Sequence, residues 1–107
     1  MQIEIKDSDS STIVVLNGRL DIAGAEVIAL PLATVSGAKN LIYVDMAGVS
    51  FIASIGLRHL ISASKAVARR GGRLVLLDPN DMVLEVITTS GLSDLLPHEK
   101  GPSGSAG

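Results

Sequence analysis

Residues 40–70 read Asn-Leu-Ile-Tyr-Val-Asp-Met-Ala-Gly-Val-Ser-Phe-Ile-Ala-Ser-Ile-Gly-Leu-Arg-His-Leu-Ile-Ser-Ala-Ser-Lys-Ala-Val-Ala-Arg-Arg, and two periodicities meet inside them. Asn40–Asp45 is a short aromatic and β-branched run, which predicts a buried strand. Ala47–Ser50 reads as a loop. Ser54–Arg70 then turns helical: Leu57, Leu60, Ile61, Ser64, Val67 and Ala68 fall on one face, while Arg58, His59, Lys65 and Arg69 point outward. Gly71-Gly72 stops the helix, as a left-handed end requires, and Leu74–Leu77 is a second apolar strand. A strand, a helix and a strand in succession predict a parallel pair with a crossover.

The flanks extend that unit. Ile3 and Ile5 alternate with polar residues, Asp7–Ser11 is turn material, and Thr12–Leu16 is continuous and β-branched, so the chain opens on an antiparallel hairpin. Asp21 is placed to cap a helix over Ala23–Val35 with Ala23, Val27 and Leu30 on its inner face; Pro31 predicts a kink or a late start. Downstream, Asp78-Pro79 reads as a cap and first position of a helix that ends near Thr89, before Gly91. Leu92–Leu96 is a short strand or turn. The expected architecture is α/β: one domain over residues 1–97, a mixed sheet with an antiparallel hairpin and then parallel strands joined by crossover helices, and a flexible tail over 98–107. In open sheets of this kind function gathers where strands hand over to helices, here Asp45 through Gly56.

Composition narrows the chemistry. The 107 residues are 47% hydrophobic and 19% charged, with no cysteine, so thiolate metal sites and cysteine catalysis are excluded. Val27–Val35 is the longest nearly apolar run and falls short of the ~20 residues of a membrane span. Met1–Lys6 alternates, which is no secretory signal, and a cytoplasmic protein without membrane insertion is expected. Residues 46–77 hold five basic side chains and no acid, between acidic flanks. Lys65, Arg69 and Arg70 complement a helix C-terminus there, and with only Tyr43 and Phe51 as aromatic platforms no direct nucleic-acid binding is expected.

Catalytic constellations are missing. No Gly-Lys-Ser/Thr phosphate loop occurs, Gly48-Val49-Ser50-Phe51-Ile52 lacks the last glycine of a nucleophile elbow, and His59 and His98 have no ligand companions. The chain therefore reads as a non-enzyme with no cofactor and no metal. Ser54 remains, at the mouth of the clearest helix. Serine is a favoured N-cap, and the same position, with free amides and a positive dipole end, suits a phosphoryl group. Both readings stay open on pattern alone. Asp45, Gly48 and Gly56 read as local turn and backbone requirements.

Gly18-Arg19-Leu20-Asp21, Val44 through Leu57, Gly71-Gly72-Arg73-Leu74-Val75-Leu76, Val83-Leu84-Glu85-Val86 and Ser90-Gly91-Leu92, in this order and spacing, resemble the STAS family of sulfate transporters and anti-sigma factor antagonists, and most nearly its free-standing anti-sigma factor antagonists. The resemblance implies partner switching. The unphosphorylated form binds a serine-kinase anti-sigma factor and frees a sigma factor; phosphorylation of one serine releases it, and a PP2C-like phosphatase resets it. That serine aligns with Ser54. The contacts carried over are Leu20 and Asp21, together with Ala53, Ile55, Gly56 and Arg58 around the helix start. Family members often have Asp before the phosphorylated serine, where this chain has Ala53. Two other readings compete: a constitutive STAS subunit of a lipid-transport complex, and a nucleotide or small-molecule sensor at the strand ends.

Overall fold

A computed structural model describes residues 1–101. Its elements are β1 (Gln2–Asp7), β2 (Thr12–Leu20), α1 (Ile22–Ala38), β3 (Leu41–Ile52), α2 (Ser54–Arg69), β4 (Arg73–Leu77), α3 (Asp81–Thr89) and β5 (His98–Glu99). The sheet order is β1-β2-β3-β4-β5. β1 and β2 are antiparallel and every later pair is parallel, as the hairpin and crossover pattern predicts. Alternation on β2 and β3 buries Val14, Leu16, Ile42, Val44 and Met46, leaving Ile13, Val15, Tyr43 and Asp45 half-buried on the opposite sheet face. α1 and α2 lie against each other, and Ile28, Leu32, Leu60 and Val67 join Leu74 and Leu76 in one core.

Several expectations are corrected. Residues 47–50 are not a loop: β3 continues to Ile52 beside the second half of β2, with register shifts near Asn17 and Gly18. Asn17 is the register partner of Gly48 and lays its side chain over it, where a Cβ would lie 1.8 Å from the Asn17 Oδ1. Helix α1 begins at Ile22 and runs through Pro31 to Ala38 without a late start. Its buried positions are Gly24, Ala25, Ile28, Leu32, Val35 and Ser36, so the expected inner face of Ala23, Val27 and Leu30 points outward. The helix is apolar nearly all round, and its sequence cannot set its own rotation. Gly24 sets it: a Cβ there would lie 2.3 Å from the Arg19 carbonyl oxygen, so this side alone can approach β2. On α2, Ala63 is buried and Ala68 exposed, the reverse of the expected assignment for Ala68.

One of the five basic residues of the middle, Arg70, has a structural role. Its guanidinium donates to the carbonyl oxygens of Ser36 (3.1 Å) and Lys39 (2.8 Å) and to the Asn40 Oδ1 (2.9 Å), pinning the end of α2 to the end of α1. Gly71 at φ 81° then turns the chain, and Gly72 passes where a Cβ would meet the Asn40 carbonyl oxygen at 2.1 Å.

The third helix is capped by Asn80, not Asp78: its Oδ1 accepts from the Val83 amide (2.8 Å) while its Nδ2 donates to the Val49 carbonyl (3.0 Å). Residues 92–96 are a turn, tied to α2 by the Ser64 hydroxyl donating to the Leu95 carbonyl. Asp78 instead turns the chain at φ 51°, and both its carboxylate oxygens accept from the Gly101 amide at 3.1 Å. Residues 98–101 therefore belong to the fold, His98–Glu99 pairing with β4 where the tail was expected to start. The remainder of that tail, 102–107, lies outside the described residues. Asp78→Ala is expected to lower the unfolding free energy by about 1–3 kcal/mol through loss of a charge-assisted hydrogen bond, read by urea denaturation, with faster amide exchange at Gly101.

Candidate functional site

The site is built where β2 and β3 hand over to helices side by side. Leu20 pairs with Ile52 at the end of the parallel ladder, and one residue on, the Ala53 amide donates to the Leu20 carbonyl at 2.8 Å. That bond sets the starts of α1 and α2 next to each other. On the α1 side, Asp21 is the N-cap, its Oδ1 accepting from the Gly24 amide at 2.9 Å. The Gly24 amide, opposed by desolvation and helped by the Arg19 guanidinium 3.7 Å away, holds the Asp21 carboxyl below its usual range, so it is ionised at neutral pH.

On the α2 side the N-cap is Ala53, in extended conformation and with no side chain able to cap; Ser54 is the first helical residue. The N-cap reading of Ser54 is thereby corrected. The first helical bond of α2 runs from the Leu57 amide to the Ala53 carbonyl (3.0 Å), so the amides of Ser54, Ile55 and Gly56 precede the ladder. Ser54 is exposed, and its hydroxyl makes no hydrogen bond among the described residues. Arg58, one turn on and also exposed, shares its side of the helix.

The other expected contacts separate into two groups. Asp21, Ala53 and Ile55 are half-buried and reach the surface. Leu20 and Gly56 do not. Leu20 is 0% exposed, and a Cβ on Gly56 would lie 2.5 Å from its Cγ. Leu20 is therefore the seat on which α2 rests, and Gly56 is the gap that admits it. Close approach, rather than an unusual backbone angle, is what demands glycine here.

Sequence reasoning missed three residues at this mouth. Ile22 stands 71% exposed directly after Asp21; starting α1 at Ala23 hid it. Arg19 and Phe51 are register partners, and the guanidinium lies 4.5 Å from the ring centroid. No local signal relates two residues so far apart in the chain. His59, expected to face solvent, is half-buried and lines a shallow groove of about 280 Å³ between α1 and α2, with Leu32 and Ala63. A larger hollow of about 550 Å³ lies on the other sheet face, over Ile13, Tyr43 and Leu77. Among the described residues no three His, Cys, Asp or Glu side chains gather as a metal site, and no helix is long and apolar enough to cross a membrane.

The family model for the STAS domain matches residues 2–101. This chain belongs to the STAS domain family. A putative anti-sigma factor antagonist, BtrV of Bordetella bronchiseptica, is 29% identical over 98 residues, covering 91% of this chain and 84% of BtrV. The anti-sigma-B factor antagonist of Listeria monocytogenes is 28% identical over 98 residues, covering 90% and 86%. Among solved structures, the unphosphorylated form of the anti-sigma factor antagonist SpoIIAA superposes with a TM-score of 0.80 at 22% identity, over 97% of this chain and 93% of that one. Its phosphorylated form, described as a Bacillus cell fate determinant, gives 0.76 at 21%, over 98% and 97%. The sheet order and helix placement of this STAS domain are those of a known fold.

Gly56→Ala is expected to destabilise this STAS domain by about 1–3 kcal/mol, because the new methyl group must displace a fully buried leucine. Gly37→Ala, on the exposed end of α1 with nothing near its Cβ, is expected to be stabilising by up to about 1 kcal/mol. Paired urea titrations check both.

Proposed function

We propose that this STAS domain is an anti-sigma factor antagonist that works by partner switching. Unphosphorylated, it docks the α2 mouth onto a serine-kinase anti-sigma factor and frees the sigma factor; phosphorylated at Ser54, it lets go, and a PP2C-like phosphatase restores it. The observation that carries this reading is the Ser54 hydroxyl, exposed and unbonded at the first position of α2. The names of the BtrV and Listeria relatives support it, as does the existence of SpoIIAA in phosphorylated and unphosphorylated forms.

The physics is local. A kinase forms a bond from Ser54 Oγ to the γ-phosphorus of ATP as the bond to ADP breaks, and the hydroxyl proton leaves to the kinase. The phosphoserine carries about −1.5 to −2 charges at pH 7. In the free domain this charge is well placed. It meets uncapped first-turn amides, the positive end of the α2 dipole and Arg58. Ala53 matters here, because an Asp at the cap would take those amides for itself; its absence leaves them to the phosphate. Against a partner surface the same dianion is stripped of water without a counter-charge from the partner, and burying it there costs several kcal/mol. A hundredfold loss of affinity needs only about 2.8 kcal/mol. The switch therefore requires no change of shape.

The reading predicts opposite signs for one substitution. Ser54→Asp is expected to raise the domain's own stability by about 0.3–1 kcal/mol through the helix dipole, while weakening kinase binding a hundredfold or more by calorimetry. Ser54→Ala is expected to bind like wild type and resist release by ATP. A constitutive STAS subunit instead gives a complex that Ser54→Asp leaves intact and protein from its host that carries no phosphate by intact mass; that pair of results sinks the proposal.

A further inference from the structure

The large apolar side chains most exposed among the described residues sit on one helix. Leu30 is 76% exposed, Ile22 71% and Val27 42%, all on α1. Ile22, Glu26 and Leu30 form a single i, i+4 row with Val27 beside it, and the row covers about 12 Å at 1.5 Å per residue. No element among the described residues covers it. Glu26, in the middle of the row, makes no ion pair among the described residues. Pro31, lacking an amide hydrogen, leaves the Val27 carbonyl without its helical donor. α1 thus turns outward an apolar strip with one negative charge at its centre.

From this strip, its charge and its position we infer that the outer face of α1 is the second half of the docking surface for the protein that binds at Ser54, and that this partner presents an apolar ridge carrying a Lys or Arg opposite Glu26. The inference rests on the Ser54 reading and adds where the partner's remaining contact lies. Size argues for it. A specific interface takes about 800 Å² and 20–30 residues from each side, far more than the few residues, Asp21, Ile22, Ala53, Ser54, Ile55 and Arg58, that surface around the α2 mouth. The interface must spread, and the strip is continuous with the mouth: Ile22 follows Asp21, and the Leu20–Ala53 hydrogen bond holds the two helix starts together. Apolar anchors next to a charged rim are what the centre of such an interface needs. Chemistry is thereby divided between the two helices. α2 carries the group that switches, and α1 carries the contact that selects which kinase is bound.

The test titrates the serine-kinase anti-sigma factors of the source organism, each purified, against wild type, Ser54→Asp, Leu30→Glu and Glu26→Lys, with thermal melts showing that the α1 variants fold. Leu30→Glu is expected to weaken the kinase that binds wild type by about 30-fold, and Glu26→Lys by about tenfold, the latter fading at high salt. If Ser54→Asp loses binding while Leu30→Glu and Glu26→Lys bind like wild type, the α1 contact is overturned and the Ser54 switch stands. If Ser54→Asp also binds unchanged, or no kinase binds wild type, the switch itself fails and takes the α1 contact with it. Sedimentation of the chain alone supplies one more overturning result: a dimer that Leu30→Glu dissolves assigns the strip to a second copy.

Discussion

A single close packing contact organises the molecule: helix α2 passes over Leu20 at Gly56, with the Ala53 amide bonded to the Leu20 carbonyl. A side chain at residue 56 would lift the helix off the sheet. With glycine there, the helix start settles against Leu20, the last residue of β2, and Ser54 emerges at the surface two residues earlier. A comparable contact operates on the neighbouring helix, where Gly24 clears the Arg19 carbonyl. Two glycines and one strand end therefore bring two helix N-termini to the same edge of the domain. Each is stabilised differently: α1 by the Asp21 carboxylate, α2 by nothing of its own.

That asymmetry gives the site its proposed chemistry. An ionised Asp21 already accepts from the Gly24 amide, so the first turn of α1 has its own side-chain acceptor and negative charge. The first turn of α2 has donors and a dipole but no side-chain acceptor, and a serine hydroxyl stands next to them. A phosphate added there fills an existing need within the domain while conflicting with anything packed over it. Stability and affinity move in opposite directions because one of them counts the free surface and the other the desolvated one. The Arg70 clamp ties the far ends of α1 and α2 together, and the Asp78–Gly101 clasp fastens the chain beyond the C-terminal end of β4.

The legibility of these features in the sequence followed their physics. The α2 face, the hairpin and the parallel order rest on strong local periods, and Leu57, Leu60 and Val67 proved buried while Arg58 stayed exposed. The rotation of α1 is not legible in the sequence because Ile22–Ala38 carries a single charge, Glu26, among apolar and small residues, and a helix without a polar face has no phase until it meets a neighbour. Residues 47–50 look like a loop because glycine and small residues break alternation, yet the partner strand β2 carries them on as sheet. Asp78-Pro79 has the composition of a helix start, but the carboxylate found the Gly101 amide, twenty-three positions away.

Local sequence determined that this chain is one α/β layer with an opening hairpin, a strongly amphipathic second helix and Ser54 at that helix's mouth, because hydrophobic period and stop signals act within a few residues. Tertiary structure alone decided that Ser54 is a bare first-turn residue rather than a cap, that Leu20 is a buried seat, and that Ile22, Val27 and Leu30 turn outward. Those outcomes depend on which backbone atoms approach each other between β2, α1 and α2. Such contacts are set by van der Waals distance across the fold, and no window of neighbouring residues contains them.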